Sequence, residues 1–240
     1  MRLNLLLPSI LLLAGCSSMT TDPWSWLDEP ENRNWVDVVI TNDDWKIELQ
    51  VPDRQTGGTA RTSFTPPLKN GAGTLHVKVP ASDVSKSRRL AYIEWESWWG
   101  GFFKDSGVDF YLDIWVFKMP GQNALESGLE DRIAQRVSQW EAELAGSTSS
   151  DFDIRVQFFS DYKVGPYKSA QGLEWVVENS PNKNGETKTY LIPLSNTQIL
   201  DIGFFVNQKR YDWKDDPEWN ERRWALSRKI LDTVTITRTP

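Results

Sequence analysis

Val108-Asp109-Phe110-Tyr111-Leu112-Asp113-Ile114-Trp115-Val116-Phe117-Lys118 is the stretch on which the fold turns. Val108, Phe110, Leu112, Ile114 and Val116 are apolar and alternate with Asp109, Tyr111, Asp113, Trp115 and Phe117. Period two held this long predicts a strand with one face in a core. Its other face is rich in aromatic rings rather than charges, so something is expected to cover it. Leu90 to Trp95 reads as its partner strand across a Gly-rich turn.

The same period runs outward in both directions. Ile47, Leu49 and Val51 alternate with Lys46, Glu48 and Gln50, and Leu75, Val77 and Val79 alternate with His76 and Lys78. Gly57 to Gly73, with Gly-Gly, Pro-Pro and Asn-Gly, reads as loop. Leu125, Leu129, Ile133, Val137, Trp140 and Leu144 then follow steps of three and four, which predicts an amphipathic helix. Glu130, Asp131, Arg132, Arg136 and Glu141 are expected to turn away from its packed face, and Gly146 with Ser147 to Ser150 to end it. Strands are expected at Phe152 to Phe158, Leu173 to Val177, Tyr190 to Leu194 and Ile199 to Val206, with a turn at Asn182-Lys183-Asn184-Gly185. Asp215-Asp216-Pro217-Glu218 reads as a helix start, with proline in the first turn and early negative charge. That helix carries Trp219, Leu226 and Ile230 to about Leu231, before a last strand at Val234 and Ile236. Strand groups each followed by a helix predict an α+β fold. Its antiparallel sheets, two-layer or sandwich-like, are packed by two amphipathic helices.

The chain opens with Met-Arg-Leu-Asn-Leu-Leu-Leu-Pro-Ser-Ile-Leu-Leu-Leu-Ala-Gly-Cys. A positive start, a short apolar run and small residues before Cys16 describe a secretory signal, too short for a permanent span. The Leu13-Ala14-Gly15-Cys16 ending resembles the lipobox of bacterial lipoproteins. That resemblance implies a signal peptide over 1–15, cleavage, and acylation of Cys16. Residues 16–23 would be a lipidated tether and 24–240 a single periplasmic α+β domain, with a candidate subdivision near 147–151. The seven residues after Cys16, Ser17 to Pro23, reach only about 24 Å when fully extended, so the domain is expected close to the membrane. Ser17 resembles the residue of lipoproteins exported to the outer membrane, with the domain in the periplasm or at the surface. Trp24 and Trp26, just beyond, either rest at the headgroup level or dock the segment onto the domain. From Phe152 to Ile236 the pattern loosely resembles the Mog1/PsbP-like group, on Tyr190-Leu191-Ile192-Pro193-Leu194 and the helix into Ile230-Leu231-Asp232-Thr233-Val234. That resemblance implies a non-enzymatic binding or assembly module.

Composition and motifs argue against most chemistry. Net charge is −6, and removing a signal that carries Arg2 and no acid makes it one unit more negative. Such a balance disfavours nucleic acid and anionic lipid and suits a cationic partner. Cys16 is the only cysteine and is assigned to lipid, so no disulfide is expected. His76 is the only histidine and is expected to face solvent, and no Gly-x-Ser-x-Gly or phosphate loop occurs, so no triad, nucleotide site, metal or cofactor is expected. Glu94 and Glu96, two apart on a strand, could pair like the acids of a glycosidase, although alternating acids on a solvated strand are common.

Thirteen tryptophans exceed what a core of this size needs. Trp95, Trp98, Trp99, Phe102 and Phe103 place five rings around Gly100-Gly101, either as a partner-binding surface or as a minicore at the sheet edge. Three classes follow: a lipid-anchored binding or assembly module for a protein partner, an immunity-type lipoprotein that masks a toxin, and a carbohydrate-active enzyme or carbohydrate-binding module. The first ranks highest, and no catalytic residue is assigned. Each buried methylene of an acyl chain contributes about 0.8 kcal/mol, so several chains anchor firmly. Cys16→Ala is therefore expected to move the protein to the soluble fraction or leave an uncut precursor. Palmitate labelling of the wild type reads this directly, and its absence would overturn the anchor.

Overall fold

In the computed structural model, which describes residues 35–52, 75–79, 88–97, 107–118, 125–146, 162–182, 185–207 and 217–239, the stretch at 107–118 is the longest strand. The elements, in order, are β1 (Trp35–Thr41), β2 (Trp45–Pro52), β3 (Leu75–Lys78), β4 (Arg88–Ser97), β5 (Gly107–Lys118) and α1 (Leu129–Gly146). Then come β6 (Lys163–Lys168), β7 (Glu174–Asn182), β8 (Gly185–Ser195), β9 (Gln198–Asn207), α2 (Pro217–Asp232) and β10 (Thr235–Arg238). One sheet has the order β10-β2-β1-β3 and the other β4-β5-β9-β8-β7-β6. All pairings are antiparallel except β1 with β3. The described residues thus form a sheet-rich α+β protein in which two helices accompany the sheets.

Register explains the core. In the smaller sheet Ile40 pairs with Ile47 and with Val77, Val38 with Leu49, and Ile47 with Ile236, so one face collects the apolar residues. Trp45, Ile47, Leu49 and Val51 on β2 are all buried, while His76 and Lys78 are exposed as expected. In the larger sheet Phe110, Leu112, Ile114 and Val116 lie opposite Val206, Phe204, Ile202 and Leu200. These residues belong to the same core cluster as the buried face of the smaller sheet, and α2 adds Trp224, Leu226, Ile230 and Leu231 to it. Hydrogen bonds also join the sheets: Trp45 Nε1 donates to Gln198 Oε1 at 2.8 Å, and Arg238 donates to the carbonyls of Pro193 and Leu194.

Local chemistry sets the element ends. Pro217 opens α2, where the missing N–H is no loss. The β6–β7 turn needs Gly172, whose φ of 78° is the left-handed region. Pro166 on edge strand β6 offers no N–H to an intruding strand. Strands from both sides of residues 147–151 pair in each sheet: β5 with β9, and β2 with β10. The strand expected at Phe152 to Phe158 lies outside the described residues, as does the segment around Cys16, Trp24 and Trp26.

One expectation is corrected. The helix at 129–146 forms, but no described side chain on it is buried, and Leu125 just before it is 44% exposed. Leu129, Ile133, Val137 and Trp140 are only half-buried. Arg132 and Arg136, expected to turn away, face β7 instead. The reason is electrostatic: β7 carries the buried carboxylate of Glu178, and leaving such a charge unpaired costs several kcal/mol.

Ile114, fully buried on β5, reports on this architecture. Ile114→Ala is expected to lower unfolding free energy by about 2–5 kcal/mol in urea melts. A loss below about 1 kcal/mol would contradict a close-packed centre.

Candidate functional site

The face of the larger sheet opposite the core carries the polar chemistry. Each core residue on β5 and β9 alternates with one on this outer face, so the register that pairs Ile114 with Ile202 also sets Trp115 against Asp201 and Phe117 against Ile199. Adjacent strands extend these pairs into rows. One row runs Glu178, Thr189, Gly203, Asp113, and the next Val176, Leu191, Asp201, Trp115.

At the β4–β5–β9 side the outer face is an aromatic strip. Tyr92 and Tyr111 have ring centroids 5.2 Å apart, Tyr111 stacks on Phe205 at 4.9 Å, and Trp115 stacks on Phe117 at 6.0 Å. Arg89 is threaded between them, its guanidinium 4.8 Å from the Tyr92 ring and 5.0 Å from the Trp115 ring. The same guanidinium pairs with Asp113 at 2.6 Å, which helps hold it among the rings. All four β5 side chains on this face from Tyr111 to Phe117 are half-buried.

At the β7–β8–β9 side, α1 stands over the sheet and encloses a cavity of about 290 Å³. Its floor is apolar, with Val176, Leu191, Pro193 and Ile199, and Phe117 joins it from β5. Its helical wall is polar, with Arg132, Gln135, Arg136 and Gln139. These residues recur at steps of three and one, a separate stripe from the apolar one. Arg136 grips Glu178 through both carboxylate oxygens, Nε to Oε1 and Nη2 to Oε2, the latter at 3.2 Å. Arg132 reaches the Glu174 carbonyl with two nitrogens at 3.5 Å each, and its buried Nε has no acceptor. Burial pulls the Arg132 guanidinium below its ordinary pKa, against the pull of Glu174. Trp140 stacks face to face on Tyr162 at 4.3 Å, tying α1 to the start of β6.

Asp201 lies where strip and cavity meet. The residue is half-buried, but its carboxyl is enclosed, and burial pushes it up to about 8. The charges of Glu178 and then Asp113 act in the same direction, and Arg136 opposes them. Asp201 is therefore mostly protonated at neutral pH and presents an O–H donor. Gly203 lies at the centre of this cluster, with the Asp113 carbonyl, the Asp201 carboxyl and the Thr189 hydroxyl around the position a Cβ would take. Among the described residues no group of three or more His, Cys, Asp and Glu is placed to hold a metal ion.

Trp95 is on β4 with Phe110 as its partner, and its side chain lies outside the described residues, as do Trp98, Trp99, Phe102 and Phe103. Glu94 and Glu96 are on β4 to either side of a register shift at Trp95/Glu96, and their side chains also lie outside the described residues. Sequence reading missed Asp201, Glu178 and the facing arginines. A signal existed: Asp201 is the one charge in Ile199-Leu200-Asp201-Ile202-Gly203-Phe204-Phe205-Val206. No protein-family model, curated protein or solved structure matches the chain.

The Asp201 shift has a sign that can be measured. An unfolded aspartate titrates near 4, so from about pH 4 to about pH 8 the folded chain keeps a proton that the unfolded chain has lost. The contribution of Asp201 to stability is full below that window, falls as pH rises through it, and is flat above. Asp201→Asn keeps the shape without the charge. Urea melts are expected to show the variant gaining on the wild type by a few kcal/mol between pH 5 and pH 9. An unchanged difference across that range would remove the raised pKa.

Proposed function

We propose that the chain is a lipid-anchored protein of the bacterial envelope, held by Cys16 at the outer membrane, that acts as a non-enzymatic binding or assembly module for a protein partner. The observation that carries this reading is the aromatic strip Tyr92, Tyr111, Trp115, Phe117 and Phe205 with Arg89 set among its rings. Tyrosine, tryptophan and arginine are the side chains that dominate binding energy at protein interfaces, because they bury much area at low entropic cost. Trp95, Trp98, Trp99, Phe102 and Phe103, whose side chains lie outside the described residues, remain proposed partner contacts on sequence grounds. The net charge of −6 favours a cationic partner. Masking of a toxin is one form such a partnership would take. The proposal includes a two-layer, sandwich-like body clamped by both amphipathic helices, with α1 beside the strip.

A second reading, a carbohydrate-binding module, is favoured by the half-buried rings of Tyr111, Trp115 and Phe117 on one sheet face, since aromatic faces are what a sugar ring packs on.

Tyr111→Ala with Trp115→Ala is expected to keep the fold by circular dichroism and weaken partner capture from solubilised envelopes. The loss should be at least about 2 kcal/mol, some thirty-fold in Kd. Retention of protein capture by this variant would overturn the proposed surface. Loss of glycan binding with no protein captured by the wild type would favour the second reading.

A further inference from the structure

The cavity under α1 is separate in chemistry from the aromatic strip. We propose that it is a binding site for a small aliphatic carboxylate, whose head group is held between Asp201 and Arg132 while its chain lies on Val176, Leu191, Pro193 and Ile199. This site stands whether or not the aromatic strip binds a protein.

Three observations carry it. First, the space is shaped for a small molecule: about 290 Å³ lies at the lower end of ligand pockets, over an apolar floor with polar groups on one side. Second, the polar groups along that side are unequally used. Glu178 occupies Arg136, so that pair is closed. Arg132, one turn earlier, has a buried Nε without an acceptor and only long contacts to a carbonyl from its other nitrogens. Asp201 lines the same space and makes no hydrogen bond or ion pair among the described residues. Buried polar groups are normally satisfied, and an unsatisfied arginine nitrogen beside an unpaired carboxyl in a single cavity marks a place for a partner. Third, the charge selects the ligand's sign. With Arg136 and Glu178 neutralising each other, Arg132 and Lys118 remain as cations at the lining. Asp201 is held neutral by its burial and by Glu178 and Asp113, against Arg136. Both unused groups are then donors, one cationic and one neutral, which matches the two oxygens of a carboxylate. An amine would meet two cations and a proton instead.

The groups facing Asp201 are Glu178 from β7, Asp113 from β5 and Arg136 from α1, with Arg132 and Lys118 also on the lining. Ionising Asp201 replaces its donor with a third negative charge in that group. Binding of a carboxylate is therefore strongest below the Asp201 pKa and falls above it.

The test is equilibrium dialysis of radiolabelled hexanoate against the full-length protein in detergent at pH 6.5 and pH 9.5, with hexylamine as competitor. Saturable binding is expected at pH 6.5, at least ten-fold weaker at pH 9.5, and insensitive to hexylamine. Arg132→Gln should weaken it at least ten-fold at pH 6.5. Asp201→Asn should keep the binding and lose the pH dependence, since an amide N–H replaces the acid proton. Urea midpoints check that both variants are folded. Absence of saturable binding, displacement by hexylamine, or hexanoate binding that both variants leave unaltered would each overturn the site. Loss of protein capture by the Tyr111/Trp115 variant with hexanoate binding intact would separate this site from the docking face.

Discussion

The pairing of β5 with β9 is the contact on which the rest depends. It runs from Phe110 opposite Val206 to Lys118 opposite Gln198, at the point where strands from the two halves of the chain meet. Side chains alternate with a period of two, so a slip of one residue would send Tyr111, Asp113, Trp115 and Asp201 into the core. It would also put Leu112, Ile114, Ile202 and Phe204 into the outer face. The cost of burying carboxyl groups without partners makes that slip prohibitive. One register thus sets both the hydrophobic core and the chemistry of the outer face.

From that constraint comes the electrostatic character of the outer face. Burial raises the cost of every charge beneath α1, and the chain meets it in two ways. Glu178 is paired with Arg136, which binds it through two nitrogens. Asp201 has no such partner and gives up its charge instead. A similar logic operates at the other face near α2, where Lys188 sits 4.0 Å over the Trp224 ring and Glu186 accepts from its indole N–H at 3.2 Å. Burial lowers the Lys188 pKa while Glu186 holds it up. Arg89, more exposed, pairs with Asp113 and lies over the surrounding rings.

Helix α1 shows why periodicity alone misplaces a helix. Its apolar stripe is real, yet the side that stands over the sheet is the one carrying Arg132, Gln135, Arg136 and Gln139. Hydrophobic burial is gradual and can be met partly, as at Leu129, Ile133 and Val137, whereas an unpaired buried carboxylate is a single large cost. On helix α2, Leu226, Ile230 and Leu231 are buried as the pattern requires.

What the sequence by itself determined is whatever depends on neighbours along the chain. Alternation at 108–118, 47–51 and 199–206 marks strands and tells which side chains enter the core, since each residue faces opposite to the next. Pro217 marks the start of α2, and the lone His76 on its strand is rightly placed in solvent. The tertiary structure alone decided which strands are neighbours, because pairing joins residues far apart and no local signal carries it. That choice brought Asp201 beside Trp115 and Leu191, set Glu178 and Asp113 to either side of Gly203, and turned Arg132 and Arg136 toward them. In the sequence Asp201 is one acid among 33; only its enclosure by three strands and a helix makes it a neutral donor in a cavity with an apolar floor and a polar wall.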